Sequence, residues 1–441
     1  MGDDFKKIKD KIKGAADTNK NPKVFVCKVL VKAFLIIAFI CIAIAILDLN
    51  GINFTQCFDF DFFTGESVDS ARYLLSAIAQ AQAAVIALVV TLTLIAVQLA
   101  SQTYSPRVMD LFKKHLFFWL LLLLYIVSIL YDVIVLGTVD KEMNYLLGHR
   151  ISFAILLAGL AFFALFPYTF DVINHLKPEN VIRKMIEKIN RKEFVDKINK
   201  TVEEKREENK EYKYDPRDLK EDDDKIIPVV DIIKRAIKED DLTTSRVGIR
   251  ELENLFEEIF SLEYSKGNEA KLVRHFCYHF EKIADRAAFR EDEDSVAEVC
   301  YALEKIGKMI GNKGLDNATK HALESLGKIV LDAGERKLFY ATNISVDSLG
   351  EISVVATEKE LKETTIRSIM YLCTFGKMFI EKKYSLDNLI KNLSEMYEKS
   401  PKLVGSGINM CYEQLKEKIS ESELKSFQQF KNQLPFLNKK P

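Results

Sequence analysis

His275 and His279 stand four residues apart in the run His275-Phe-Cys277-Tyr-His279, with Glu281 two positions further on. On a helix this spacing places both imidazoles on one face, the arrangement by which a single helix offers two nitrogen ligands to a divalent metal. Cys277 falls on another side of the same helix, so a closed zinc site would need ligands from elsewhere in the chain. The expectation from the residues is ordinary helix surface or core, with no metal and no cofactor assigned. No phosphate-binding glycine loop, nucleophile elbow, HExxH pair or EF-hand loop occurs, and no nucleophile stands beside a base. No catalytic residue is assigned, and the chain is expected not to be an enzyme.

A second group of residues has chemistry because of where it lies. Within the long apolar run from Leu74 to Ala100, the polar and small residues Gln80, Ala84, Ala87, Thr91 and Gln98, followed by Ser105, recur on one helical face. Gln80 and Gln98 share that face, about 27 Å apart along the axis. Two readings compete. In one, small residues allow close helix packing, and Gln and Thr bond across to a neighbouring helix. In the other, several copies surround a water-filled path whose ends carry the glutamines. Asp132 is an intramembrane acid, in register with Tyr125 and Ser128 on one helical stripe. Such a carboxylate is a functional candidate by default, unless it lies close enough to the interface to reach water or to accept a bond from Gln80 or Ser76. After the run, Ser105-Pro106 reads as a helix start and Arg107 belongs to a short helix at the inner membrane surface.

These residues need helices that cross a bilayer, and the chain supplies them. Four stretches approach or exceed the length of about 20 apolar residues that spans the hydrocarbon, at about 25–47, 74–100, 116–137 and 151–170. The first is too long for a signal-peptide core, and no cleavage site follows it, so it reads as an uncleaved span. Lysines such as Lys20, Lys23 and Lys28 flank its start, whereas the next loop carries Asp59, Asp61, Glu66 and Asp69 against a single Arg72. Arg107, Lys113 and Lys114 follow the second span, and Lys177, Arg183 and Lys184 follow the fourth. By the positive-inside rule both termini face the cytoplasm, in a multi-pass protein of the cell (plasma) membrane. Mean hydropathy of -0.02 and net charge of -1 conceal this organisation by averaging two unlike halves. The balanced charge gives no support for nucleic-acid binding. Seven scattered cysteines without a CxxC pair point to buried, reduced thiols rather than a disulfide framework.

The segment LLSAIAQAQAAVIALVVTLTLIAVQLASQTYSPRV resembles the hallmark segment of a prokaryotic family of predicted membrane proteins, domain of unknown function 2254. The shared positions include Leu74, Leu75, Ser76, Ile78, Ala79, Thr93, Leu94, Gln98, Leu99, Ala100, Ser101, Ser105, Pro106 and Arg107. The resemblance implies a four-span layout with a basic segment after the last span. A further family element in the part beyond the spans corresponds here only at Arg235, Ala236, Asp241 and Thr243 or Thr244; its Pro and Asn are missing. The family brings no settled activity.

Beyond the spans, residues 201–225 are almost entirely charged and read as an exposed helix extension or linker without a site. From Ile226 onward, apolar residues recur at helical spacing, and EISVVAT, though ambiguous, is read as helix. Gly307, Gly327, Gly350 and Gly376 mark a weak internal echo, one per helix, which suggests HEAT- or armadillo-like pairs, with an irregular bundle as the alternative. The glycine is expected to let helices cross closely.

The chain is therefore expected to be all-α. A basic segment (1–24) precedes a four-helix transmembrane domain (25–180), a charged extension or linker (181–225) and a cytoplasmic helical domain (226–441). Its partners are expected to be the lipid bilayer and further copies of itself. As a homo-oligomer, its second span would line a channel-like path or central interface, and the helical domain would regulate or assemble it. The alternative is a membrane-anchored adaptor whose helical domain binds a cytoplasmic protein partner.

Overall fold

The computed structural model describes residues 68–103, 116–139, 145–208, 212–262, 267–382 and 384–416. These are helical with short connections, and they contain no strand. The chain divides into two compact units, residues 1–177 and 178–441.

The first unit contains α1 (Val68–Thr103), α2 (Leu116–Thr138) and α3 (Tyr145–Leu176). Within them, Val68–Ile95, Phe118–Thr138 and Leu147–Phe170 are long and apolar enough to cross a membrane. These match three of the four expected spans; the one at 25–47 lies outside the described residues. α1 and α3 begin earlier than hydropathy alone placed them, the helix running on through polar residues such as Asp69 and His149. Each of the three helices packs on the other two. Their shared core holds Leu75, Leu124, Tyr125, Tyr131 and Leu157, with Ala154, Ala161 and Ala164 giving α3 a flat face for close approach. Three polar ties reinforce it. The Gln82 amide donates to Ser128 Oγ at 3.0 Å, Thr93 Oγ1 and Tyr168 Oη share a hydrogen bond of 2.6 Å, and Arg72 Nη2 donates to the Val139 carbonyl at 2.8 Å. The outside of the group is apolar, with Leu88, Leu92, Trp119, Ile126, Phe163 and Phe166 all exposed. A soluble bundle distributes its residues the other way round.

The second unit is a succession of helices. It runs α4 (Pro178–Glu187), α5 (Arg191–Glu208), a short 3₁₀ turn at Pro216–Asp218, α6 (Ile227–Lys238), α7 (Leu242–Ser261), α8 (Glu269–Phe289), α9 (Glu293–Asn312) and α10 (Asp316–Glu335). It continues through α11 (Phe339–Glu358), α12 (Lys362–Lys382), α13 (Asp387–Lys399) and α14 (Pro401–Lys416). EISVVAT lies within α11 and is helical, as expected. From α6 on, each helix packs on the one two places further along, and from α6 to α14 every pair of consecutive helices also touches.

The turns repeat more faithfully than the helices. At Glu291, Gly314, Lys337 and Glu360, each 23 positions from the last, the backbone turns left-handed with φ between 55° and 76°. In each turn the following N–H bonds back to a carbonyl five residues earlier, as Asp292 N does to Ala287 O and Leu338 N to Ala333 O. This is the Schellman arrangement, which satisfies the carbonyls left open at a helix end. Asp241 and Asp292 then cap the next helix, accepting from Thr244 N and Ser295 N. The helices cross closely at glycine, as expected. A side chain at Gly327 would meet the Tyr371 ring at 2.6 Å, and one at Gly350 would meet Asn392, each on the helix two places along.

Cys373 of α12 and Cys411 of α14 are joined by a disulfide, with their Cα atoms 5.3 Å apart. This corrects the expectation of uniformly reduced thiols. The α12–α14 crossing brings together two cysteines 38 residues apart, and no sequence motif announces that.

Candidate functional site

α8 carries His275 and His279 one turn apart on a buried face. The segment that reaches them is the charged stretch before α6. Tyr214 and Asp224 from that stretch are both buried, and the 3₁₀ turn, α5 and α6 pack on α8 around them. Asp215 starts the 3₁₀ turn by accepting from Arg217 N, and Arg274 Nε of α8 donates to the Tyr214 carbonyl at 3.0 Å, which holds the backbone in place. Asp224 lies at the entrance to α6, where one carboxylate oxygen, Oδ1, accepts from Ile226 N at 3.0 Å. Its other oxygen, Oδ2, lies 2.9 Å from His279 Nε2 and 3.3 Å from His275 Nε2. On its far side His275 Nδ1 shares a hydrogen bond of 2.8 Å with Tyr214 Oη. Phe194 of α5 stands edge-on to the His275 ring at 5.4 Å and closes the apolar side.

Water is almost absent from this group: His275 is 0% exposed, Asp224 2% and His279 4%. Burial alone would favour the neutral acid of Asp224, but the two imidazoles beside it hold its carboxyl well below the usual range. Burial and the neighbouring His275 push His279 below its ordinary value against the pull of Asp224. Burial raises the Tyr214 phenol, which keeps its proton. The result is an ionised carboxylate facing imidazole nitrogens in a dry pocket. The three donor atoms lie within 4.8 Å of one another.

The neighbours suggested by the sequence do not join this group. Cys277 is buried and burial pushes its thiol up to about 12, leaving it protonated at neutral pH. Glu281 accepts from Ser325 Oγ at 2.5 Å and from Lys328 Nζ at 2.9 Å on α10. The residues that sequence reading missed, Asp224 and Tyr214, lie in the stretch taken to carry no site. One signal was available: Asp224 is the last of three consecutive aspartates, next to the apolar run that opens α6.

In the first unit, Gln80, Ala84, Ala87, Thr91 and Gln98 are all exposed among the described residues, so α2 and α3 do not cover this face. Gln80 donates to Ser76 Oγ on its own helix, and Thr91 Oγ1 donates to the Ala87 carbonyl. The glutamine that reaches α2 is Gln82. Tyr125, Ser128 and Asp132 do share a buried stripe of α2, each 0% exposed. Among the described residues neither Asp132 oxygen receives a hydrogen bond, from Gln80, Ser76 or any other donor. Ser105, Pro106 and Arg107 lie outside the described residues.

No curated protein and no solved structure matches this chain. A family model does match, described as predicted membrane protein (DUF2254), and it aligns with residues 22–239. It takes in all three described spans and Asp224, and it ends before the two histidines. Over residues 22–239 the chain is thus similar to this family of predicted membrane proteins.

Proposed function

We propose that this is a homo-oligomeric protein of the plasma membrane in which the Gln80–Gln98 face of α1 meets other copies, lining a channel-like path or a central interface. The helical unit beyond the spans regulates or assembles it. The observation that carries this reading is the exposure of Gln80, Ala84, Ala87, Thr91 and Gln98 on a helix long and apolar enough to span a membrane. The hydrogen bonds of α1 to its own bundle come from another side, through the Gln82 amide nitrogen and Thr93. A face with glutamine at both ends and small residues between them suits protein or water better than lipid. The alternation of lysine and arginine across the loops supports cytoplasmic placement of both termini, as reporter fusions at each end would show.

The test uses Ala84→Cys and Thr91→Cys variants in native membranes. Disulfide crosslinks between copies are expected, together with ion flux in liposomes that Gln98→Leu alters. Monomeric protein with crosslinks to residues 25–47 of the same chain would overturn the reading, and so would absent flux with an unchanged Gln98→Leu oligomer.

A second reading, a membrane-anchored adaptor, is favoured by the regular packing from α6 to α14, which suits a HEAT- or armadillo-like stack presenting a long surface to a cytoplasmic protein partner. Crosslinking of the full chain in cells separates the two: a stoichiometric heterologous partner favours the adaptor, and self-association favours the first reading.

A further inference from the structure

We propose that Asp224, His275 and His279 together bind a divalent first-row transition metal ion of the zinc class, which clips the charged segment before α6 onto α8. Two imidazoles and one carboxylate are the donor set such ions take, whereas calcium and magnesium prefer oxygen alone.

Four observations support it. The donors come from two elements and converge, with Asp224 Oδ2 at 2.9 Å from His279 Nε2 and 3.3 Å from His275 Nε2. Ligand atoms about 2.0–2.2 Å from a tetrahedral zinc lie roughly 3.3 Å from each other, so small side-chain rotations admit the ion. Next, His275 carries the outer partner that metal-bound histidines normally have. Its Nδ1 bonds Tyr214 Oη at 2.8 Å, which leaves Nε2 for the metal and fixes the ring. The backbone N–H of Ile226 holds Asp224 Oδ1 in the same way.

The fourth observation decides against a hydrogen-bonded brace without metal. Such a brace would need Oδ2 to accept from both Nε2 atoms. His279 makes that bond, but His275 Nε2 is buried without a hydrogen bond of acceptable geometry. An unsatisfied buried nitrogen is costly, and a cation between the three donors gives it a partner. The ion would close a loop between residues 55 positions apart. Three protein ligands leave one coordination position, which water fills; Cys277 and Glu281 are committed elsewhere. The assignment does not depend on the oligomeric reading of α1.

The experiment uses the untagged full chain in detergent, stripped with chelator and dialysed. Titration with cobalt(II) chloride should give visible bands of a tetrahedral site, saturating near one ion per chain. Zinc chloride should abolish them by displacement and raise the thermal midpoint. Asp224→Asn and His279→Gln should weaken zinc binding more than tenfold. Tyr214→Phe should weaken it by about tenfold, the effect of losing an outer partner. A wild-type chain that gives no cobalt spectrum and no zinc-dependent shift overturns the proposal even if every variant misfolds. Binding that persists unchanged in His279→Gln overturns it too.

Discussion

Asp132 and Asp224 are both buried carboxylates on helical scaffolds, and their surroundings differ completely. Asp224 has a backbone N–H on one oxygen and two imidazole nitrogens at the other. Asp132 shares its stripe of α2 with Tyr125 and Ser128 and receives no hydrogen bond among the described residues. The second unit buries polar groups by pairing them across helices, as Ser245 does with Ser295 and Asn392 with the Val346 carbonyl. The first unit makes a few such pairs and turns the polar face of α1 outward. Burial therefore has distinct meanings in the two units. In the second unit it goes with partners on neighbouring helices, and in the first it leaves Asp132 without a hydrogen bond among the described residues.

The largest effect should come from removing the Asp224 carboxylate. Asp224→Ala is expected to lower stability by about 3–5 kcal/mol, since it leaves the His279 imidazole and the Ile226 N–H buried without their acceptor. Asp132→Leu should cost far less, or stabilise, because no described residue bonds to the carboxylate. Chemical denaturation of the second unit and thermal unfolding in detergent measure the two. Equal losses would break the comparison.

Next comes close packing. Gly350→Leu should cost about 1–3 kcal/mol by overpacking against Asn392. Gly137→Leu, at a glycine with open space around it, should be nearly silent. A smaller loss follows from the ties between spans. Gln82→Leu should cost about 0.6 kcal/mol, the usual value for a hydrogen bond between membrane helices. A loss several times larger would mean that the first unit is held together much as the second is. The smallest effect is expected at the surface. Lys320→Ala, which removes an ion pair of 2.7 Å with Glu363 between α10 and α12, should change stability by about 0.5 kcal/mol or less.

The membrane helices were legible because a bilayer demands long apolar runs and nothing else in the chain resembles them. Their starts were less so, since polar residues near them, Asp69 and His149, carry no hydropathy signal. The close-crossing role of Gly327 and Gly350 was readable from their echo along the chain. The turn period was not, because Glu291, Lys337 and Glu360 occupy left-handed positions where glycine would be the expected marker. At the candidate site the sequence offered two histidines by helical spacing alone. Asp224 could not be paired with them, since a contact across 55 residues depends on how the segment folds back on α8. The disulfide between Cys373 and Cys411 escaped notice for the same reason.

The turn that recurs every 23 residues from Glu291 to Glu360 has a mechanical consequence. Because each helix leans mainly on its next two neighbours, the stack deforms as springs do in series, and a small change of angle at each crossing adds up along its length. A pull on one end is shared among all the crossings, so the far end travels a long way while no single contact strains. Joining α12 to α14 through Cys373 and Cys411 stiffens one stretch of that series and leaves the remainder compliant.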